Sequence, residues 1–119
     1  MESLKKSLTA LIILIISTTT YADDFCNEVN DNAYREETYL IPLGQIYQVT
    51  TSEKLYLYSA PNKKCMYGKD TFLIKNDKVQ GYTEYNEFIS IIYFKSTGES
   101  IEGWALKEGL SRTNQRSSP

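Results

Sequence analysis

The chain contains no histidine. That absence removes the side chain whose ordinary pKa lies nearest neutrality, and with it the Ser-His and Cys-His nucleophile arrangements. It also removes a usual zinc ligand, and the two cysteines present, Cys26 and Cys65, do not complete a metal site by themselves. No Gly-rich phosphate-binding loop occurs. Two carboxylate pairs invite comparison with glycoside cleavage: Glu84 with Glu87 and Glu99 with Glu102. Each pair flanks a polar turn, which is where solvated acidic residues ordinarily sit. The expectation is a non-catalytic protein with no metal and no cofactor.

Charge of one sign is also scarce. Thirteen basic residues face fifteen acidic ones, a formal net charge of −2. A mildly acidic chain lacks the basic footprint that nucleic acid or anionic lipid requires. The single apolar run, Leu8 to Ile16, is broken by Thr9 and is too short for a spanning helix of about 20 residues. Lys5 and Lys6 precede it, small polar residues follow from Ser17 to Thr20, and Thr20 and Ala22 occupy small-residue positions before Asp23. This layout predicts a secretory signal peptide over residues 1–22, cleaved near Ala22. Cys26 lies four residues beyond Ala22, too far for a lipid-anchoring site at the cut. Cleavage would remove Glu2, Lys5 and Lys6 and leave one domain with a charge of −3 and no stable membrane anchor. The expected location is periplasmic or secreted.

An exported chain with two cysteines usually pairs them. Cys26 and Cys65 stand 39 positions apart, and a loop of that size is worth about 4 kcal/mol in the chain-entropy account. The bridge would tie an N-terminal arm to the loop after Pro61.

From Asp23 to Glu37 the sequence is polar, with three Asp, three Glu and three Asn. Val29 and Ala33, four apart, allow one or two helical turns. Tyr39 to Leu43 is apolar with Pro42, the composition of an edge segment, and Gly44 marks a turn. Strand-like runs follow at Gln45 to Thr50, Leu55 to Tyr58 and Thr71 to Ile74. Val79, Gly81 and Thr83 alternate with Gln80, Tyr82 and Glu84. Phe88 to Phe94 is apolar on both faces and reads as a central strand. Ile101 to Ala105 is a last strand, Lys107 to Leu110 a short helical turn, and the residues after it a polar tail. About six short strands without a long helical pattern predict a mainly β fold, a small antiparallel barrel.

In order and spacing, several of these motifs resemble the bacterial SH3-like domain. The short apolar strand leading into a Ser-Ala-Pro loop is Leu55-Tyr56-Leu57-Tyr58-Ser59-Ala60-Pro61. The later Gly-Trp strand is Gly103-Trp104, and the closing leucine is Leu110. The resemblance covers Gln45 to Arg112 and implies an SH3-like barrel of five to six antiparallel strands. The expected organisation is then an arm at 23–44, a barrel at 45–112 and a disordered tail at 113–119. Tyr58 stands where the family's first strand carries an arginine. A loop cysteine and an acidic arm are further departures. Family members that target the cell wall are commonly joined to a hydrolase, and no such domain is evident here. Small stand-alone exported proteins of this general kind include immunity and inhibitor proteins.

Ten tyrosines and one tryptophan supply binding-type surface. Tyr58, Tyr82, Glu84 and Tyr85 are the candidate contact residues, with the three tyrosines forming a groove for a peptide or protein loop. Trp104 is expected to anchor the core. Glu28, Glu36 and Glu37 form a solvated face that a basic partner could meet. The functional expectation is a periplasmic protein that binds and neutralises another protein, a toxin or an envelope enzyme. The alternative is a cell-wall module for peptidoglycan stem peptide.

Overall fold

The computed structural model describes residues 21–36 and 39–117. Apart from Tyr21 and Ala22, the predicted signal segment lies outside the described residues. The fold is small and mainly β. Among the described residues one α-helix, α1 (Tyr21–Arg35), precedes eight short strands: β1 (Tyr39–Leu40), β2 (Gln45–Val49), β3 (Leu55–Tyr56), β4 (Phe72–Leu73), β5 (Lys78–Tyr85), β6 (Phe88–Phe94), β7 (Ser100–Leu106) and β8 (Leu110–Arg116).

All strand pairings are antiparallel. The main sheet runs β7-β6-β5-β2-β8, with β1 on β5, and β3 and β4 form a second small sheet. β6 lies between β5 and β7, as its two apolar faces predict. Tyr58 carries hydrogen bonding from one sheet to the other: its N–H donates to the Trp104 carbonyl at 2.9 Å and its own carbonyl accepts from Trp104 N–H at 2.8 Å. The segment before Ser59-Ala60-Pro61 and the Gly103-Trp104 strand are therefore direct neighbours. Among the described residues no pairing joins β8 to the small sheet, so the barrel is not closed.

Turn chemistry sets the hairpins. Asn86 at φ 52° turns β5 into β6, and Asn76 at φ 79° turns the chain into β5. Asn tolerates the left-handed region better than most residues because its short amide bonds locally.

The core occupies the space between the two sheets. Val49, Leu55, Leu57, Leu73, Val79 and Ile91 form its centre, joined by Tyr47, Ile89, Ala105 and Leu110. Along β5 Val79, Gly81 and Thr83 are buried between more exposed neighbours, as its sequence predicts, and a register shift between Gly81 and Thr83 sets Thr83 opposite Ser90. Gly81 is there for space: a Cβ would stand 2.6 Å from Cε2 of Tyr47.

The opposite face of the sheet carries a second cluster, Ala33, Tyr58, Phe88 and Trp104. α1 covers it. The helix is 15 residues long, longer than the one or two turns that Val29 and Ala33 predict. Its attachments fall at Cys26, Asn30, Ala33 and Tyr34, spaced so that one helical stripe faces the sheet. Cys26 is disulfide-bonded to Cys65, with Cα atoms 5.8 Å apart. Asn30 Oδ1 accepts from the Trp104 indole N–H at 2.7 Å. Ala33 is fully buried, and the Tyr34 ring lies 5.5 Å from that of Trp104.

At the C-terminal end, a 3₁₀ turn over Lys107–Gly109 leads into β8, which pairs with β2 as far as Arg116. Residues 113–116, expected in a disordered tail, are thus part of the sheet. No helix among the described residues is long and apolar enough to cross a membrane.

Candidate functional site

Where α1 crosses the outer face of β6 and β7 it leaves a cleft of about 390 Å³. The strands bring Ser90, Ile92, Glu102 and Trp104 to it, α1 brings Asn30 and Tyr34, and Ser59, Tyr67 and Tyr82 complete its margin. A concavity of that volume lies within the range of ligand-binding pockets, and its lining mixes aromatic rings with the polar side chains of Asn30, Ser59, Ser90 and Glu102.

Each wall has a local cause. Tyr82 sits at the register shift between Gly81 and Thr83, where β5 carries one residue more than β6, and its side chain lines the cleft beside Ser90. Glu102 and Trp104, two apart on β7, share a face by strand alternation. Tyr67 follows the bonded Cys65, and its hydroxyl donates to the Glu102 carbonyl at 3.1 Å. Gly103 makes room for it: a Cβ there would meet both Tyr67 Cε2 and the Tyr58 carbonyl at 3.0 Å. The glycine of the Gly-Trp pair thus seats a cleft tyrosine, and the tryptophan holds the helix.

Burial pushes the Tyr67 phenol above its ordinary value, and the nearby Glu102 carboxylate adds to the rise. Tyr82 is raised by the same two causes in the same order. One carboxylate is therefore close enough to act on both phenols. Glu102 has no ion-pair partner among the described residues. Tyr34 and Tyr67 remain 55% and 51% exposed, so the slot opens to solvent along an aromatic rim.

The four residues singled out from the sequence separate in the structure. Tyr82 lines the cleft. Tyr58 is buried, 6% exposed, with its ring edge-on to Phe88 at 5.3 Å. Strand alternation placed it outward with Tyr56, but the helix buries that outer face. The expected groove of Tyr58, Tyr82 and Tyr85 therefore does not form. Glu84 pairs with Lys107 at 2.8 Å. Tyr85 donates to a Glu36 carboxylate oxygen at 2.5 Å, and that bond, ahead of burial, raises its phenol pKa. These two contacts brace the β5–β6 hairpin against its neighbours.

Asn30, Tyr34, Tyr67 and Glu102 were not singled out as binding residues from the sequence. The spacing of Cys26, Asn30 and Tyr34, four apart each time, was the available signal for the helical three. Glu102, read as flanking a turn at the start of the Ile101 to Ala105 strand, lies within β7. Comparison with protein-family models, curated proteins and solved structures finds no match.

Proposed function

We propose that the chain is a non-catalytic exported binding protein of the immunity or inhibitor type, which neutralises a protein partner in the periplasm. The observation that carries this reading is the open aromatic cleft beneath α1, rimmed by Tyr34 and Tyr67 and floored by Trp104. Exposed tyrosines beside a rigid concavity supply contact area at low entropic cost, the usual composition of strong protein-binding sites. The Cys26–Cys65 bond supports an oxidising compartment, and a signal peptide over residues 1–22 would deliver the chain there.

The test is affinity capture with the full chain from a periplasmic extract, followed by assay of the captured protein's activity. The expected result is one stoichiometric partner whose activity falls on binding. No partner, together with no protection against wall- or membrane-directed toxins, would overturn the proposal.

The adjacency of Ser59-Ala60-Pro61 to the Gly103-Trp104 strand favours a second reading, an SH3-like module for peptidoglycan stem peptide. It requires the protein to pellet with purified sacculi. The chain's acidity works against it, since the wall is itself anionic.

A further inference from the structure

We propose that the cleft is a receptor for a single arginine side chain, presented by a loop or extended segment of the protein partner. The inference rests on the protein-binding function above and specifies its chemistry. Three features of the cleft carry it. The first is charge. Among the cleft residues Glu102 is the one ionisable group that is negative at neutral pH, and no lysine or arginine lines the site. Among the described residues no cation neutralises it, although the other acidic side chains of the same hairpin region, Glu84, Glu87 and Glu99, each lie within 4.0 Å of a lysine.

The second feature is the surround. Tyr34, Tyr67, Tyr82 and Trp104 line the same cleft as Glu102, and the Glu102 charge acts on the Tyr67 and Tyr82 phenols. An aromatic ring attracts a cation over its face, and a planar guanidinium both stacks on the ring and donates in a fork to a carboxylate. An ammonium group lacks the planar face and loses more hydration on entry, so arginine fits this slot better than lysine. The third is preorganisation. Tyr67 is fixed to the backbone of Glu102 by its hydroxyl, and α1 is fixed at Asn30 and Cys26. The rise of the Tyr67 and Tyr82 phenols toward the neutral form, partly through Glu102, agrees with a carboxylate held among them.

The remaining candidate surface, Tyr39, Leu40 and Leu43 along the β1 edge, is more exposed but carries no charge or shape that names an occupant.

The experiment is an NMR titration of the oxidised full chain with Nα-acetyl-arginine-N-methylamide. The isosteric citrulline compound, which lacks the charge, serves as control. The expected result is saturable shifts at the Trp104 indole N–H and the amides of Glu102 and Tyr82. Arginine binding to E102Q should be weaker by about threefold, the scale of an exposed charge pair, and binding of the citrulline compound weaker by about tenfold, since it loses the cation–π contact as well. Glu102 is solvent-exposed, so E102Q is expected to fold, and an unchanged amide spectrum away from the cleft checks it. Equal binding of citrulline, full affinity in E102Q, or no shifts at the cleft would each overturn the inference. Its failure is separable from that of the wider function. A captured partner whose affinity E102Q leaves unchanged would sink the arginine site alone. An arginine-binding cleft in a chain that captures no protein would sink the protein-binding function alone.

Discussion

The indole N–H of Trp104 on β7 donates to the side-chain oxygen of Asn30 on α1 at 2.7 Å, joining residues 74 apart in sequence. This bond fixes how the helix sits over the sheet, and so fixes the shape of the cleft. Asn30→Ala leaves a buried indole donor unpaired, a loss of about 1–3 kcal/mol. Asn30→Asp keeps the acceptor and is expected to recover much of it. Denaturant unfolding of the three proteins, followed by tryptophan fluorescence, measures the difference. Equal stability of wild type and Asn30→Ala would show that the bond does not hold the helix.

The disulfide is the second tether. Cys26 and Cys65 close a loop with a sequence separation of 39, so reduction is expected to lower stability by about 2–4 kcal/mol. No strand of the main sheet contains either cysteine: its pairings join β1 and β2 to later strands or lie downstream of Cys65, so the sheet is expected to survive reduction. Thermal melts with and without reductant should differ for the wild type and coincide for the Cys26→Ser, Cys65→Ser double variant. Coincident melts for both would mean that the bridge does not stabilise the fold.

Gly81 tests the packing between β5 and β2. A Cβ at this position would meet the Tyr47 ring at 2.6 Å and the Ile41 side chain at 3.3 Å. Gly81→Val is expected to cost about 1–3 kcal/mol, the range for overfilling a packed interior. A urea midpoint unchanged from the wild type would show that Tyr47 moves aside freely.

Stability should fall at alkaline pH. Tyr67 and Tyr82, chiefly through burial, and Tyr85, chiefly through its bond to Glu36, have phenols raised above the ordinary value of 10.0. The folded state favours the neutral phenol. The contribution is therefore complete below pH 10.0 and is lost as pH rises through the raised values. Tyrosinate absorbance should reveal a late-titrating subset. E102Q should lower the values of Tyr67 and Tyr82 and leave Tyr85 in place. A single titration at the ordinary value for every tyrosine would contradict this arrangement.

Much of the sheet is legible in the sequence because its side chains report their faces. The alternation of β5 and the two-sided apolarity of β6 are set by burial, and the cysteine pair by compartment. The helix is less legible. Its facing stripe is a cysteine, an asparagine, an alanine and a tyrosine, so no apolar period announces it, and each contact is specific to a partner across the fold. Tyr58 was misplaced for the same reason, since a strand's outer face reads as solvent until something covers it. β8 is hidden differently. Its side chains are mostly exposed polar groups, and its place in the sheet rests on backbone pairing with β2 and on side-chain bonds of Gln45 and Thr113 that no local pattern announces. The cleft, built from α1, β5, β6, β7 and the loop after Cys65, therefore could not be assembled from local pattern alone.

The central claim, that this cleft is where a protein partner binds, is tested most directly by site-specific photo-crosslinking in cells that export the full chain. A photoreactive phenylalanine analogue would replace Tyr67 on the cleft rim and, separately, Leu43, which is 80% exposed on the β1–β2 connection. The account expects a discrete protein adduct from position 67 and none from position 43. An adduct from position 43 with none from position 67 would contradict it.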